Sequence, residues 1–234
     1  MRLSFIVLLI GISSAMGHAQ QPSSGALLAR LDHLVYATPD LQVGIDAVEK
    51  QLGVKAATGG QHPGLGTRNA LVALGPTSYL EIIGPDPEQP KPSGPRRFGI
   101  DDLKAPRIVR WVVKSNELPT VEETAAKSGV RLGAIASGSR KRPDGVVLSW
   151  RYTDPAVVVA DGLVPFFIDW GSSPHPALTA AKGVTLMQLR AEHPDAARVQ
   201  KMLDALGLDL NVSQASAPAI VATVDSPRGR VELR

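Results

Sequence analysis

Apolar and polar positions alternate through Leu31-Asp32-His33-Leu34 and then run apolar to Ala37, the pattern of a half-buried strand. Thr38-Pro39-Asp40 reads as a helix start, with Thr38 as N-cap and Pro39 in the first turn. Leu41, Ile45, Val48 and Leu52 follow at spacings of four, three and four, one face of a helix that Gly53 closes. Residues 59–66 read as a Gly-rich loop. Residues 69–74 and 79–83 read as two strands joined through Gly75-Pro76-Thr77.

The same order returns further along. Residues 107–113 read as a strand, 118–128 as a helix ending at Gly129, and 146–152 and 163–170 as strands. A slide of 77 residues places Leu31 on Ile108, His33 on Arg110 and Leu41 on Leu118. With a longer loop at 154–161, Glu81 falls on Asp169. An abbreviated third copy begins at Gly183, with a strand at 184–189 and His193-Pro194-Asp195 mirroring Thr38-Pro39-Asp40. Its helix at 196–206 ends at Gly207, and a hairpin at 219–224 and 230–233 closes it. His33 then falls on Gln188 and Glu81 on Glu232. Each copy has one helix and a mostly antiparallel set of strands, so an α+β fold is expected. A helix covering one sheet face leaves the other to curve around a cavity or pack on a neighbour.

The chain ends change the domain picture. Arg2, the apolar run 3–12, and Gly17 and Ala19 have the form of a signal peptide at 1–19, too short for the about 20 residues of a membrane span. Residues 20–29 then read as a flexible tail, 30–172 as a domain of two modules, and 183–234 as the third module packed on it. The expected location is the periplasm or the outside. Cysteine is absent, so disulfides and thiolate metal sites are excluded and the core alone must hold an exported fold. With 25 basic and 22 acidic residues scattered along the chain, nucleic acid is a poor partner. No later apolar run suits a membrane span. The oligomeric state stays open, a homodimer included.

Several segments together resemble the glyoxalase-like domain of the vicinal oxygen chelate superfamily. They are Leu31-Asp32-His33-Leu34-Val35-Tyr36, His62-Pro63-Gly64-Leu65-Gly66-Thr67-Arg68-Asn69, Tyr79-Leu80-Glu81 and Pro165-Phe166-Phe167-Ile168-Asp169-Trp170. The resemblance implies paired βαβββ modules, each a cupped sheet, binding a small oxygen-bearing molecule. It also implies a divalent metal (Zn, Fe, Mn or Ni) held by the first and last strands of two modules. Carried over, that set is His33 and Glu81 with Asp169, while Arg110 stands at the fourth position, where a guanidinium cannot ligate. Two readings stay open. Either His33, Glu81 and Asp169 hold a metal for a lyase or isomerase with Glu81 and His33 as the acid/base pair, or Arg110 replaces the metal and binds an anion in a non-catalytic carrier. The broken ligand set argues against glyoxalase I activity and extradiol ring cleavage.

Around this set, His62 lies either over a pocket or in a solvent-facing turn, and Asn69 either bonds substrate or caps its loop. Arg140 is a candidate for an acidic substrate at the rim. Trp150 and Trp170 line the pocket or pack the core. The low aromatic content of the mature chain argues against a groove lined for ring stacking.

Overall fold

A computed structural model describes residues 25–234; the signal-peptide reading at 1–19 and the start of the tail lie outside the described residues. The rest of the expected tail is structured. Gly25–Arg30 forms helix α1, because Leu27 is 1 % exposed and belongs to the main core.

The first module runs β1 (Leu31–Ala37), α2 (Leu41–Leu52), β2 (Ala57–His62), β3 (Thr67–Ala73) and β4 (Tyr79–Pro85). The second runs β5 (Arg107–Lys114), α3 (Leu118–Lys127), β6 (Ile135–Lys141), β7 (Val147–Thr153) and β8 (Phe166–Asp169). Helix α2 has the predicted bounds but a different cap. The Asp40 carboxylate accepts from the amides of Gln42 and Val43, while the Thr38 hydroxyl donates to the Asp40 carbonyl. An ionised carboxylate is the better partner for the positive end of the helix. The part of the Gly-rich stretch read as loop that precedes Pro63 is strand β2, so each module has three strands after its helix.

The modules fuse through the antiparallel pair β1–β5 into one eight-stranded sheet, ordered β2-β3-β4-β1-β5-β8-β7-β6. Its halves mirror each other, with β1 parallel to β4 and β5 parallel to β8. The sheet curls until its edges β2 and β6 meet, where Arg140 Nη1 donates to the Gly59 carbonyl at 2.6 Å. The two faces then divide the side chains. Leu34, Tyr36, Leu80, Ile82, Trp111 and Val113 enter the main core under the helices, whereas Val35, Ala37, Ile83, Val112 and Ile168 form a second cluster inside the cup.

The C-terminal segment forms β9 (Thr185–His193), α4 (Ala196–Ala205), β10 (Asn211–Gln214), β11 (Ala219–Ser226) and β12 (Gly229–Leu233). It has the strand, helix and hairpin read from the sequence plus the strand β10. Its sheet order, β10-β9-β11-β12, puts the first strand between β10 and β11, whereas in the first two modules it lies beside the last strand. Leu189, Val199, Leu203, Ile220 and Leu233 share one core with Leu34 and Leu80.

Candidate active site

The concave face holds a pocket open to solvent and lined by both halves of the sheet. Its polar floor is built from the first module and the meeting edge. β1 brings His33, β2 brings His62, β3 brings Asn69, β4 brings Tyr79 and Glu81, and β6 brings Arg140.

His33 is held from behind. A register shift between Leu31 and His33 inserts Asp32 as an extra residue opposite β5, and Asp32 is fully buried. One Asp32 oxygen lies 2.7 Å from His33 Nδ1, and the other accepts from Trp170 Nε1 at 3.0 Å and pairs with His175 Nε2 at 3.2 Å. Burial alone would raise this carboxyl, but the hydrogen bonds from His175 and His33 and their charges outweigh it and hold it down at about 2. An ionised Asp32 requires a proton on His33 Nδ1, so the free position of His33 is Nε2. The Tyr79 ring stacks on the imidazole at 4.7 Å and fixes its plane.

Glu81 is 8 % exposed and sits between two histidines. Its Oε2 lies 3.7 Å from His33 Nε2, and its Oε1 lies 3.7 Å from His62 Nε2. Asn69 Nδ2 donates to Oε1 at 2.6 Å and lies 3.4 Å from His62 Nε2. His62 Nδ1 lies 3.0 Å from the Thr67 hydroxyl. Burial pulls the His62 pKa below its ordinary 6.5 although Glu81 opposes this, so His62 is neutral at pH 7. Arg140 is 3 % exposed, and the bond to Gly59 is the one hydrogen bond its guanidinium makes among the described residues. Burial lowers its pKa, with the neighbouring Tyr79 and Glu81 acting to raise it. A guanidinium starts so high that it stays charged. The residue borders the cavity.

The segment joining the modules supplies part of the lining. Arg97 Nη1 donates to the Tyr152 hydroxyl at 3.0 Å, and its guanidinium lies over the Tyr152 ring at 5.3 Å. Phe98 adopts a left-handed backbone, φ 63°, and its ring borders the cavity.

Of the residues singled out from sequence, His33, His62, Asn69, Glu81, Arg140 and Trp150 line this one cavity, and Trp170 joins them. Asp169 and Arg110 do not. On β8, Phe166 and Ile168 face the cavity, as does Trp170 just beyond its end, so Asp169 is one residue out of phase. It faces a surface groove and accepts from the Gly171 amide. On β5, a register shift beside Val109 breaks the alternation, and the Arg110 guanidinium turns back to the Val109 carbonyl at 2.8 Å, against Gly162. Arg110 therefore leaves the space near Glu81 free.

The set His33–Glu81–Asp169 is not assembled. Glu81 shows a different oxygen to each histidine, one of them already taken by Asn69, and no three His, Asp or Glu side chains among the described residues are arranged to hold a metal. These residues do not fit a resident metal ion. The sequence assigns no site role to Asp32, Tyr79, Arg97, Phe98, Tyr152, Phe166 or His175, the last of which sits beside a proline in a connection. Asp32, adjacent to His33, and Tyr79, in phase with Glu81, carried a usable signal; nothing in the chain marks Arg97 or His175.

A curled sheet of two mirrored βαβββ modules around a buried polar floor defines a protein of the vicinal oxygen chelate fold. The chain belongs to the glyoxalase-like domain family, which it matches over residues 31–207. No curated protein matches it. Among solved structures, a hypothetical protein from Staphylococcus aureus shares the fold at 12 % identity and a TM-score of 0.57, over 86 % of this chain and 83 % of that one. A methylmalonyl-CoA epimerase from Mycobacterium tuberculosis aligns at 21 % identity and a TM-score of 0.40, over 64 % of this chain and 91 % of its own.

Proposed function

We propose that the cup is the active site of a lyase or isomerase that moves a proton at a carbon next to a carbonyl group. The observation that carries this is the placement of Glu81 between two imidazole Nε2 atoms, each at 3.7 Å, with His33 locked from behind by Asp32. His33 Nε2 and the facing Glu81 oxygen thus present two lone pairs to one corner of the cavity, close enough for a substrate proton to pass from one to the other.

In the reaction, Glu81 takes the proton, breaking the C–H bond, and the electron pair moves onto the carbonyl oxygen. The N–H groups of Arg140 stabilise the resulting enolate charge. For the isomerisation of a hydroxyketone, His33 passes the proton to the former carbonyl carbon while the hydroxyl proton of the enediolate moves to the former carbonyl oxygen, so that the two functions exchange places. In a lyase the electron pair instead expels a group from the adjacent carbon. Neither route oxidises or reduces the substrate, and neither is routed through a metal. Neutral His62 and Asn69 orient Glu81.

Exchange of carbon-bound hydrogen in D2O, followed by proton NMR over a panel of small 2-oxo acids and hydroxyketones, tests the reading. The wild-type protein should exchange at least one of them, and Glu81→Gln should abolish the exchange with an unchanged circular dichroism spectrum. Equal rates for both proteins would remove Glu81 from the mechanism. Ligands that raise the melting temperature of the wild type without any exchange would favour the carrier instead.

A further inference from the structure

Nine Phe, Trp and Tyr residues occur among the described residues, and six of them line this one cavity: Tyr79, Phe98, Trp150, Tyr152, Phe166 and Trp170. The other three, Tyr36, Trp111 and Phe167, are core residues on the helix side of the sheet. A low aromatic total therefore hides a high local concentration, and the expectation that this chain lacks a stacking surface is overturned. The rings come from four separate places in the chain. Phe98 and Phe166 lie nearly parallel at 6.2 Å, and Trp150 and Trp170 are 5.1 Å apart at 53°. Phe98 reaches its position through a left-handed backbone, which is unfavourable for a bulky residue and persists where the surroundings impose it.

Against these rings stands one buried fixed cation. The Arg140 guanidinium makes one hydrogen bond to the protein, to Gly59, and the residue lines the cavity, so a ligand there can take up the remaining N–H groups. A carboxylate matches a guanidinium in charge and in the geometry of its two oxygens. We infer that the cavity takes a small carboxylate carrying a planar aromatic ring, the carboxylate on Arg140 and the ring among Phe98, Trp150, Phe166 and Trp170. This substrate class rests on the proton-transfer reading only for the chemistry after binding. Recognition of ring and charge is independent of it.

Three compounds that differ by one feature each provide the test. Isothermal titration calorimetry of the full chain would compare 2-oxo-4-phenylbutanoate with 2-oxobutanoate, which lacks the ring, and 4-phenylbutan-2-one, which lacks the carboxylate. The ring acid should bind at least ten-fold tighter than either partial analogue; a smaller preference over either one overturns the inference. Arg140→Met should lose most of the affinity for the ring acid and at least five-fold less of that for the ketone; equal losses for both overturn the carboxylate contact. Because Arg140 also ties β2 to β6, Trp150→Leu serves as a second variant, expected to weaken the ring acid at least five-fold and leave 2-oxobutanoate unchanged. The same compounds in D2O separate this inference from the proposed reaction. Tight binding of the ring acid without hydrogen exchange rejects proton transfer and retains the ligand class. Exchange of 2-oxobutanoate as fast as the ring acid, with equal affinity, rejects the ligand class and retains proton transfer.

Discussion

Both oxygens of Asp32 are occupied, one by His33 and the other by Trp170 and His175. An asparagine offers one acceptor and one donor in the same space. Asp32→Asn must therefore either drop two partners or turn its NH2 toward His33 and move the imidazole proton to Nε2. Turnover should fall by about two to four powers of ten, the range of general acid–base contributions. Stability should fall by roughly 3 kcal/mol, as expected when a buried charge-assisted network loses a partner. The carboxyl is held at about 2 against an ordinary 3.8, so its contribution is present above pH 3.8 and is lost as pH falls toward 2. Urea titrations between pH 2 and 5 should show that acid loss in the wild type and not in the variant. Lost stability with an unchanged pH–rate profile would reduce Asp32 to a structural residue. Much of this floor was legible at the residue scale, because His33, His62, Asn69 and Glu81 stand in segments with distinctive chemistry. Asp169 misled because a strand has a period of two, and an alignment off by one residue reverses the face.

At the scale of the element, periodicity found β1, α2, β5 and α3 to within a residue and missed the second strand of every module. These strands, Ala57–His62, Ile135–Lys141 and Asn211–Gln214, are short of large apolar residues and two of them carry glycine. They are sheet edges, so no alternating burial writes itself into their sequence. The glycines of β2 have a packing reason that is visible only in three dimensions. A Cβ at Gly59 would fall on Asn69 Oδ1, and one at Gly60, where φ is 154°, would lie 2.6 Å from the Lys141 carbonyl of β6. Small residues there let Asn69 reach Glu81 and let the two edges of the cup meet. Gly59→Ala should cost about 1–3 kcal/mol, the usual range for overpacking, and lower exchange activity by displacing Asn69. Gly94→Ala, with open space around its Cβ, should change neither quantity. Denaturant midpoints and exchange rates measured on both variants check this, and an unchanged rate in Gly59→Ala would detach Asn69 from the chemistry.

Across the whole molecule, the polar floor opens from the concave face while its backing comes from the far end of the chain. The C-terminal sheet shares one core with β1, β4, α2 and α3, and the Ile108 amide of β5 donates to the Arg234 carbonyl at 2.9 Å. The β1–β5 seam that carries His33 and joins the two modules is thus covered by residues at the other end of the sequence. The apolar side of that seam and residues 183–234 bury their side chains in one common core, Leu34 and Leu80 with Leu189, Val199 and Leu203. Burial of side chains such as Leu189, Val199 and Leu203 contributes about 1.5–3 kcal/mol each before entropy is subtracted, and net stabilities of whole domains are only about 5–15 kcal/mol. Losing several such residues exceeds what the remaining sheet can spare. The full chain should therefore unfold in urea in one transition, with far-ultraviolet circular dichroism superimposing on the fluorescence of Trp111 in the core and Trp150 and Trp170 in the cup. A chain ending at residue 182 should show neither a cooperative transition nor hydrogen exchange activity. A truncated chain that unfolds cooperatively with the cup fluorescence intact would establish that the paired modules fold alone and that the third segment is an accessory to them.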